Sequence, residues 1–138
     1  MDELTYSQVE AAAERISGKV REVTVARADS DLAGSGRTEV YLALEFLQHT
    51  GTFKARGAQN FIQAHRDTGT LPDAGVTIAS GGNAGMACAW AAREQGVPAT
   101  VFLPATAPRV KVDRLRGYGA DVRLVGTEYA DALAACAE

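Results

Sequence analysis

The spacing of apolar and polar positions changes several times along this chain, and each change predicts an element. Val9, Ala12, Ala13 and Ile16 recur at helical spacing behind Ser7-Gln8-Val9-Glu10, which has the form of a capping box. Gly18 is placed to stop that helix. Residues 19–38 are mixed, with a short strand predicted near Val23 to Ala26 and a turn at Ala33-Gly34-Ser35-Gly36. Val40 to Leu44 is apolar, ends at Glu45 and suits a strand. A helix follows from near Thr52 to about Arg66, with Ala58, Phe61, Ile62 and His65 on one side. Val76-Thr77-Ile78-Ala79 is a β-branched run that predicts a buried strand. It enters Ser80-Gly81-Gly82-Asn83-Ala84-Gly85 and then a helix that Gly96-Val97-Pro98 stops. Ala99 to Leu103 predicts a second buried strand. Thr106, Ala107 and Pro108 open another helix that Gly117 ends. Asp121 to Val125 predicts a third strand and Glu128 to Glu138 a last helix.

Strands that alternate with helices predict right-handed βαβ units. The expected fold is therefore α/β, a three-layer arrangement with a parallel sheet and helices on both faces. The last helical pattern reaches Glu138 with no cap, glycine or loop behind it. Domains usually end on a stop signal, so the chain is expected to be one part of something larger.

Composition narrows the class. Of 138 residues, 46% are hydrophobic and 22% charged, which suits a soluble globular domain. A formal net charge of −3 argues against nucleic acid or an anionic membrane as partner. No apolar run approaches the roughly 18 residues of a membrane span, and Met1-Asp2-Glu3-Leu4 has no signal-peptide pattern. A cytoplasmic location is expected. Cys88 and Cys136 sit in Ala-rich helical runs and read as buried thiols rather than a disulfide. His49 and His65 lack companion ligands, so no metal site is expected. Arg109, Lys111, Arg114 and Arg116 read as one solvated helix face, interrupted by Asp113.

Two segments carry candidate chemistry. Lys54 and Arg56 stand in the first turn of their helix, where the dipole favours acids, at a cost of about 0.3–1 kcal/mol each when exposed. The same field favours a neutral, nucleophilic amine. A free lysine gives up roughly 4.6 kcal/mol to be deprotonated at neutral pH, part of which burial and cationic neighbours can supply. Taken alone, Lys54 reads as a solvent-facing lysine on an ordinary helix, since charged surface residues are the norm. The second segment, Ser80 to Gly85, lies at the carboxyl end of a strand, where ligands bind in parallel sheets. Its glycines let backbone N–H groups approach an anion, and Ser80 and Asn83 add side-chain hydrogen bonds. It also reads as a tight βα turn with Asn83 as N-cap. It is neither a Walker A loop nor a dinucleotide fingerprint, and its length suits a carboxylate.

Together the segments resemble a known family. Gln48-His49-Thr50-Gly51-Thr52-Phe53-Lys54-Ala55-Arg56-Gly57-Ala58 looks like the Schiff-base lysine motif of fold-type II pyridoxal-phosphate enzymes, in the threonine/serine dehydratase and serine racemase branch. Ser80-Gly81-Gly82-Asn83-Ala84-Gly85 looks like that family's substrate loop, and Gly96-Val97-Pro98-Ala99-Thr100-Val101 and Gly119-Ala120-Asp121-Val122 are also similar. The resemblance implies that Lys54 holds pyridoxal 5′-phosphate and removes the substrate Cα proton. It implies that Phe53 places the cofactor ring and that Asn83 bonds the cofactor's 3′-oxygen. Ser80, Gly81, Gly82, Asn83 and Ala84 would then form the substrate loop, with Ser80 and the backbone N–H groups through Gly82 to Ala84 holding the carboxylate. It further implies a small α/β domain over residues 39–138, an N-terminal segment 1–38 belonging to a larger domain, and that larger C-terminal domain lying outside the chain.

The departures from the family pattern sharpen the expectation. Serine racemases of the family carry a hydroxyl residue where this chain has Gly81, which cannot act as a second base. The family's frequent His after the loop Asn is Ala84, and a frequent Lys in the preceding strand is Ala43. The expected activity is a dehydratase (ammonia-lyase) converting L-serine or L-threonine to a 2-oxo acid and ammonia. An amino-acid racemase, a β-replacing enzyme or a catalytically inert fragment remain the alternatives. Weak or absent cofactor binding by this chain alone, a small amino-acid substrate and a homo-oligomer are also expected.

Overall fold

The computed structural model describes residues 3–29 and 39–137. Helix α1 (Tyr6–Ile16) is followed by strands β1 (Val25–Arg27) and β2 (Tyr41–Ala43) and two short 3₁₀ turns, Glu45–Leu47 and His49–Gly51. Then come α2 (Lys54–Asp67), β3 (Val76–Ala79), α3 (Asn83–Glu94), β4 (Ala99–Leu103), α4 (Arg109–Gly117), β5 (Asp121–Leu124) and α5 (Tyr129–Ala137).

Strands β3, β4 and β5 form a parallel sheet in that order, with Ile78 opposite Val101 and Val101 opposite Val122. Alternate residues of a strand face opposite sides, and the two sides are covered by different helices. Val76, Val101 and Leu103 pack with Ala55 and Ile62 of α2, Met86 and Trp90 of α3, and Val112 and Leu115 of α4. Ala79 and Phe102 face the other way, against Ala132 of α5. The result is the three-layer parallel α/β arrangement with helices on both faces. β1 and β2 stand apart as an antiparallel pair, with Ala26 opposite Leu42. The strand before Lys54 is therefore outside the parallel sheet, and the regular alternation starts only at β3.

Several boundaries move for identifiable reasons. The capping box exists, but Thr5 and Gln8 make it: the Gln8 N–H donates to Thr5 Oγ1 at 3.4 Å, and the Thr5 N–H donates to Gln8 Oε1 at 2.8 Å. Ser7 is already helical. β1 starts two residues later than expected and ends one residue later. On α2, Phe61 is 56% exposed with its ring against His65, while Gln59 is buried with Ile62. Asn83 is the first helical residue of α3, and Gly82 occupies the N-cap. α4 starts at Arg109 and ends at Gly117, as expected, and the turn beyond it uses Gly119 at φ +83°. β3 is an edge strand, so Thr77 is exposed. The basic residues Arg109, Lys111, Arg114 and Arg116 are exposed, as a solvated face requires. The turn expected at residues 33–36 and the terminal Glu138 lie outside the described residues.

The small-residue face of α3 decides how closely the helix meets the sheet. Ala87, Ala89, Ala91 and Ala92 are all buried. A Cβ added at Gly85 would overlap the carbonyl oxygen of Ser80, so the helix start lies directly on the backbone leaving β3. Neither partner is a flexible side-chain tip, so the clash cannot relax locally. We expect Gly85→Ala to destabilise the chain by about 3 kcal/mol, read as a lowered urea midpoint with an unchanged slope.

Candidate functional site

Lys54 is the first residue of α2, and the turn before it is strained. Thr50 has φ +64° and Gly51 φ +82°. A β-branched residue in this region is a genuine outlier that costs about 1–3 kcal/mol, and such strain persists only where surrounding structure over-determines it. The surrounding structure is a clamp on the backbone of Arg21. Gln48, 5% exposed, accepts from the Arg21 N–H at 3.0 Å through Oε1 and donates to the Arg21 carbonyl at 2.8 Å through Nε2. Its Oε1 also accepts from the His49 N–H at 3.0 Å. Arg56 donates from Nη2 to the same Arg21 carbonyl at 3.1 Å and from Nε to Glu45 Oε1 at 2.7 Å. Arg21 returns a bond from Nη1 to the Leu47 carbonyl at 2.6 Å.

This clamp changes the electrostatic picture drawn from the sequence. Arg56 is not a free cation beside Lys54, because Glu45 pairs with it. Lys54 itself is exposed and has no hydrogen bond or ion pair among the described residues; its Nζ lies 4.7 Å from the ring centroid of Phe53, itself 58% exposed. Both Thr50 Oγ1 and Thr52 Oγ1 are buried without a partner among the described residues.

The lysine lines an apolar cleft of about 330 Å³ with Gly57, Ala58, Phe61, Ile78 and Ala84. The loop residue Ala84 thus meets Lys54 in one cleft. Gly81, Gly82 and Asn83 line a second cleft of about 220 Å³, beside Lys111 and Arg114 of α4. Ser80 Oγ accepts from the Gly82 N–H at 3.3 Å, so the hydroxyl shapes the loop and keeps its own proton to donate. The first N–H groups of a helix have no internal acceptor. Here the Met86 N–H returns to the Gly82 carbonyl at 3.1 Å, leaving those of Asn83, Ala84 and Gly85 at the loop. A Cβ on Gly81 would stand 2.7 Å from Leu103 Cδ2, so the space on that side of the loop already holds a leucine methyl.

Cys88 also lines the lysine cleft, and burial pushes its thiol up to about 11, with Cys136 adding to the rise. Both cysteines are free and half-buried rather than fully buried. Among the described residues no His, Cys, Asp and Glu group could hold a metal ion, and no helix is long and apolar enough to cross a membrane.

Arg21, Glu45 and Leu103 were not singled out from the sequence. Gln48 belongs to the lysine motif, but its partner lies 27 residues away, and no local spacing marks such a pair. The lysine's unpaired amine, the open N–H groups of the loop and the unpartnered threonine hydroxyls suit a ligand with a carbonyl and anionic groups.

Comparison with known proteins supplies the context. The family model described as "Pyridoxal-phosphate dependent enzyme" matches residues 17–138. The chain is 43% identical over 97 residues to human "L-serine dehydratase/L-threonine deaminase", covering 70% of this chain and 28% of that protein. It is 36% identical over 135 residues to "L-threonine ammonia-lyase" of Geobacter sulfurreducens, covering 98% of this chain and 33% of that protein. A crystal structure of a pyridoxal 5′-phosphate-dependent aspartate racemase superposes with a TM-score of 0.84 at 34% identity, covering 99% of this chain and 42% of that one. The chain spans about a third of the length of the curated relatives it matches.

Two outcomes test the clamp and its surroundings. Gln48→Leu removes both of its bonds to the Arg21 backbone, leaving the carbonyl with Arg56 alone, and should cost about 1–3 kcal/mol, measured by urea denaturation. The His49 pKa is lowered by burial and by Arg21, against an opposing pull from Glu94. The unfolded chain therefore binds the proton more readily, so stability should be full above the ordinary value of 6.5 and decline as pH falls through the lowered one. His49→Phe should flatten that part of a melting-temperature profile.

Proposed function

The chain belongs to the pyridoxal-phosphate dependent enzyme family, and on that footing we propose that it is the lysine-bearing part of a dehydratase (ammonia-lyase) that converts L-serine or L-threonine to a 2-oxo acid and ammonia. The observation that carries this reading is the shared cleft: the unpaired amine of Lys54 and the loop residue Ala84 line the same space. The names of the relatives, serine and threonine dehydratases, support it.

When bound, pyridoxal phosphate supplies an electron sink for the carbanion that forms at Cα. The chain's own residues do the rest. Lys54 would hold the cofactor through Nζ; once the substrate amine took its place there, the freed Nζ would accept the Cα proton. Phe53 places the cofactor ring, and Asn83 donates to its 3′-oxygen. Ser80 and the N–H groups of Asn83 and Ala84 hold the substrate carboxylate, which fixes the direction of the Cα–H bond; the Gly82 N–H is spent on Ser80 Oγ. Gly81 provides no acid or base on the opposite face. The division into a 1–38 segment of a larger domain and a 39–138 small domain is part of the same proposal, as are a cytoplasmic location and a homo-oligomer joined through exposed apolar residues such as Phe46 and Leu47. By itself the 138-residue chain is expected to bind the cofactor weakly or not at all.

The likeness to an aspartate racemase favours a second reading, racemisation on the same scaffold, with β-replacement as a further variant. Gly81 argues against racemisation, since a proton delivered to the far face needs a donor there.

In the complete protein, L-serine should give a 2-oxo acid and ammonia without D-serine, and Lys54→Ala should lower that rate by at least about 10³-fold. D-serine at a rate comparable to the 2-oxo acid would overturn the one-base reading. Gly81→Ser alone should not create a racemase, because Leu103 occupies the space. For the isolated chain, a stable absorbance band with pyridoxal phosphate that Lys54→Ala removes would show that it holds the cofactor unaided.

A further inference from the structure

A polar cleft of about 460 Å³ lies between α2 and the C-terminal end of α3, with Gly18 and Lys19 at its rim. It shares no lining residue with the lysine cleft. Its size suits a small molecule. Two of its walls are buried amides: Gln59 is 2% exposed and Gln95 is 9% exposed. Gln95 Nε2 donates to the Gln59 carbonyl at 3.3 Å, so the two residues are neighbours. The Oε1 atoms of both are buried with no partner among the described residues. Such a pair is expensive, since each unsatisfied polar group costs about 1–3 kcal/mol, and replacing both with apolar residues would remove the cost.

The remaining lining completes a charge pattern. Glu94 Oε1 accepts from Arg93 at 2.9 Å, and its Oε2 has no hydrogen bond among the described residues. Two unpartnered amide oxygens and one carboxylate oxygen match the three donors of an ammonium group. Lys19 donates to Gln63 at 2.6 Å and Arg66 to the Gln95 carbonyl at 2.9 Å, and each keeps further N–H groups. Those cations suit an anionic group on the same ligand. Trp90 and His49 also line it, their rings stacked at 4.6 Å and 15°. We propose that this cleft binds a small zwitterion, a free α-amino acid, with its ammonium on Gln59, Gln95 and Glu94 and its carboxylate toward Lys19 and Arg66. The assignment uses no residue of the lysine cleft, so it stands or falls separately from the proposed reaction.

Trp90 is the chain's single tryptophan and reports the cleft directly. Titrating the chain with glycine should give a saturable change in tryptophan fluorescence and in the indole N–H resonance. N-acetylglycine and acetate, which lack the ammonium, should bind at least tenfold more weakly. Glu94→Gln, at an exposed helix end, should weaken glycine at least tenfold without loss of fold, and Gln59→Leu/Gln95→Leu should do the same. Lys54→Ala should leave the titration unchanged. No saturable change with glycine, equal binding of acetate, unchanged affinity in Glu94→Gln, or loss of the signal in Lys54→Ala would each overturn the proposal.

Discussion

The backbone of Arg21 is the point on which the candidate site rests. A single side chain, Gln48, satisfies both its N–H and its carbonyl, much as a neighbouring strand would. The same carbonyl takes a charge-assisted bond from Arg56, whose other face is paired with Glu45. Charge-assisted bonds are roughly twice as strong as neutral ones, and the Arg56–Glu45 pair is partly buried. Its consequence is positional. Gln48 precedes the strained Thr50–Gly51 turn and Arg56 follows it, so both ends of the turn are tied to one distant segment. Strain at Thr50 survives because the chain on either side has no freedom to relieve it. Lys54 then leaves the turn in a set direction, into a cleft rather than along the surface of its own helix.

Helix α3 is the second organising element. Its alanine face and Gly85 let it lie close on β3 and β4, and that closeness brings the first N–H groups of α3 to the end of β3. The loop that results is built of backbone, with Ser80 spending its lone pair on shaping it. At its other end the same helix supplies Trp90, Glu94 and Gln95 to the polar cleft. The helix, 12 residues long, runs about 18 Å from end to end. An element of that length connects two clefts that share no lining residue.

The alternation of periods from β3 onward was legible because each element there obeys local rules. β-branched runs made the strands, and proline and glycine punctuated the helices. The lysine motif and the loop were legible for the same reason, since each lies within about ten residues of sequence. Where local signals competed, the sequence was ambiguous. Thr5 and Ser7 are both good caps with a polar partner three residues on, and only backbone geometry chose Thr5. Phe61 is more hydrophobic than Gln59, yet Phe61 is exposed on α2 and Gln59 is buried, because α3 approaches from the side that Gln59 occupies.

The order of elements, the parallel sheet, the lysine at a helix start and the glycine loop at a strand end follow from the amino-acid sequence itself, because each depends on neighbours a few residues apart. The tertiary structure alone decided that Arg56 is neutralised by Glu45, that Gln48 grips Arg21, that Leu103 fills the space beside Gly81 and that two buried glutamines share a cleft. Each of these joins side chains separated by eleven to thirty-six residues. Hydrogen bonding and steric exclusion act over a few ångströms in space, whatever the separation along the chain, so the fold had to bring these residues together before any of them acquired a partner.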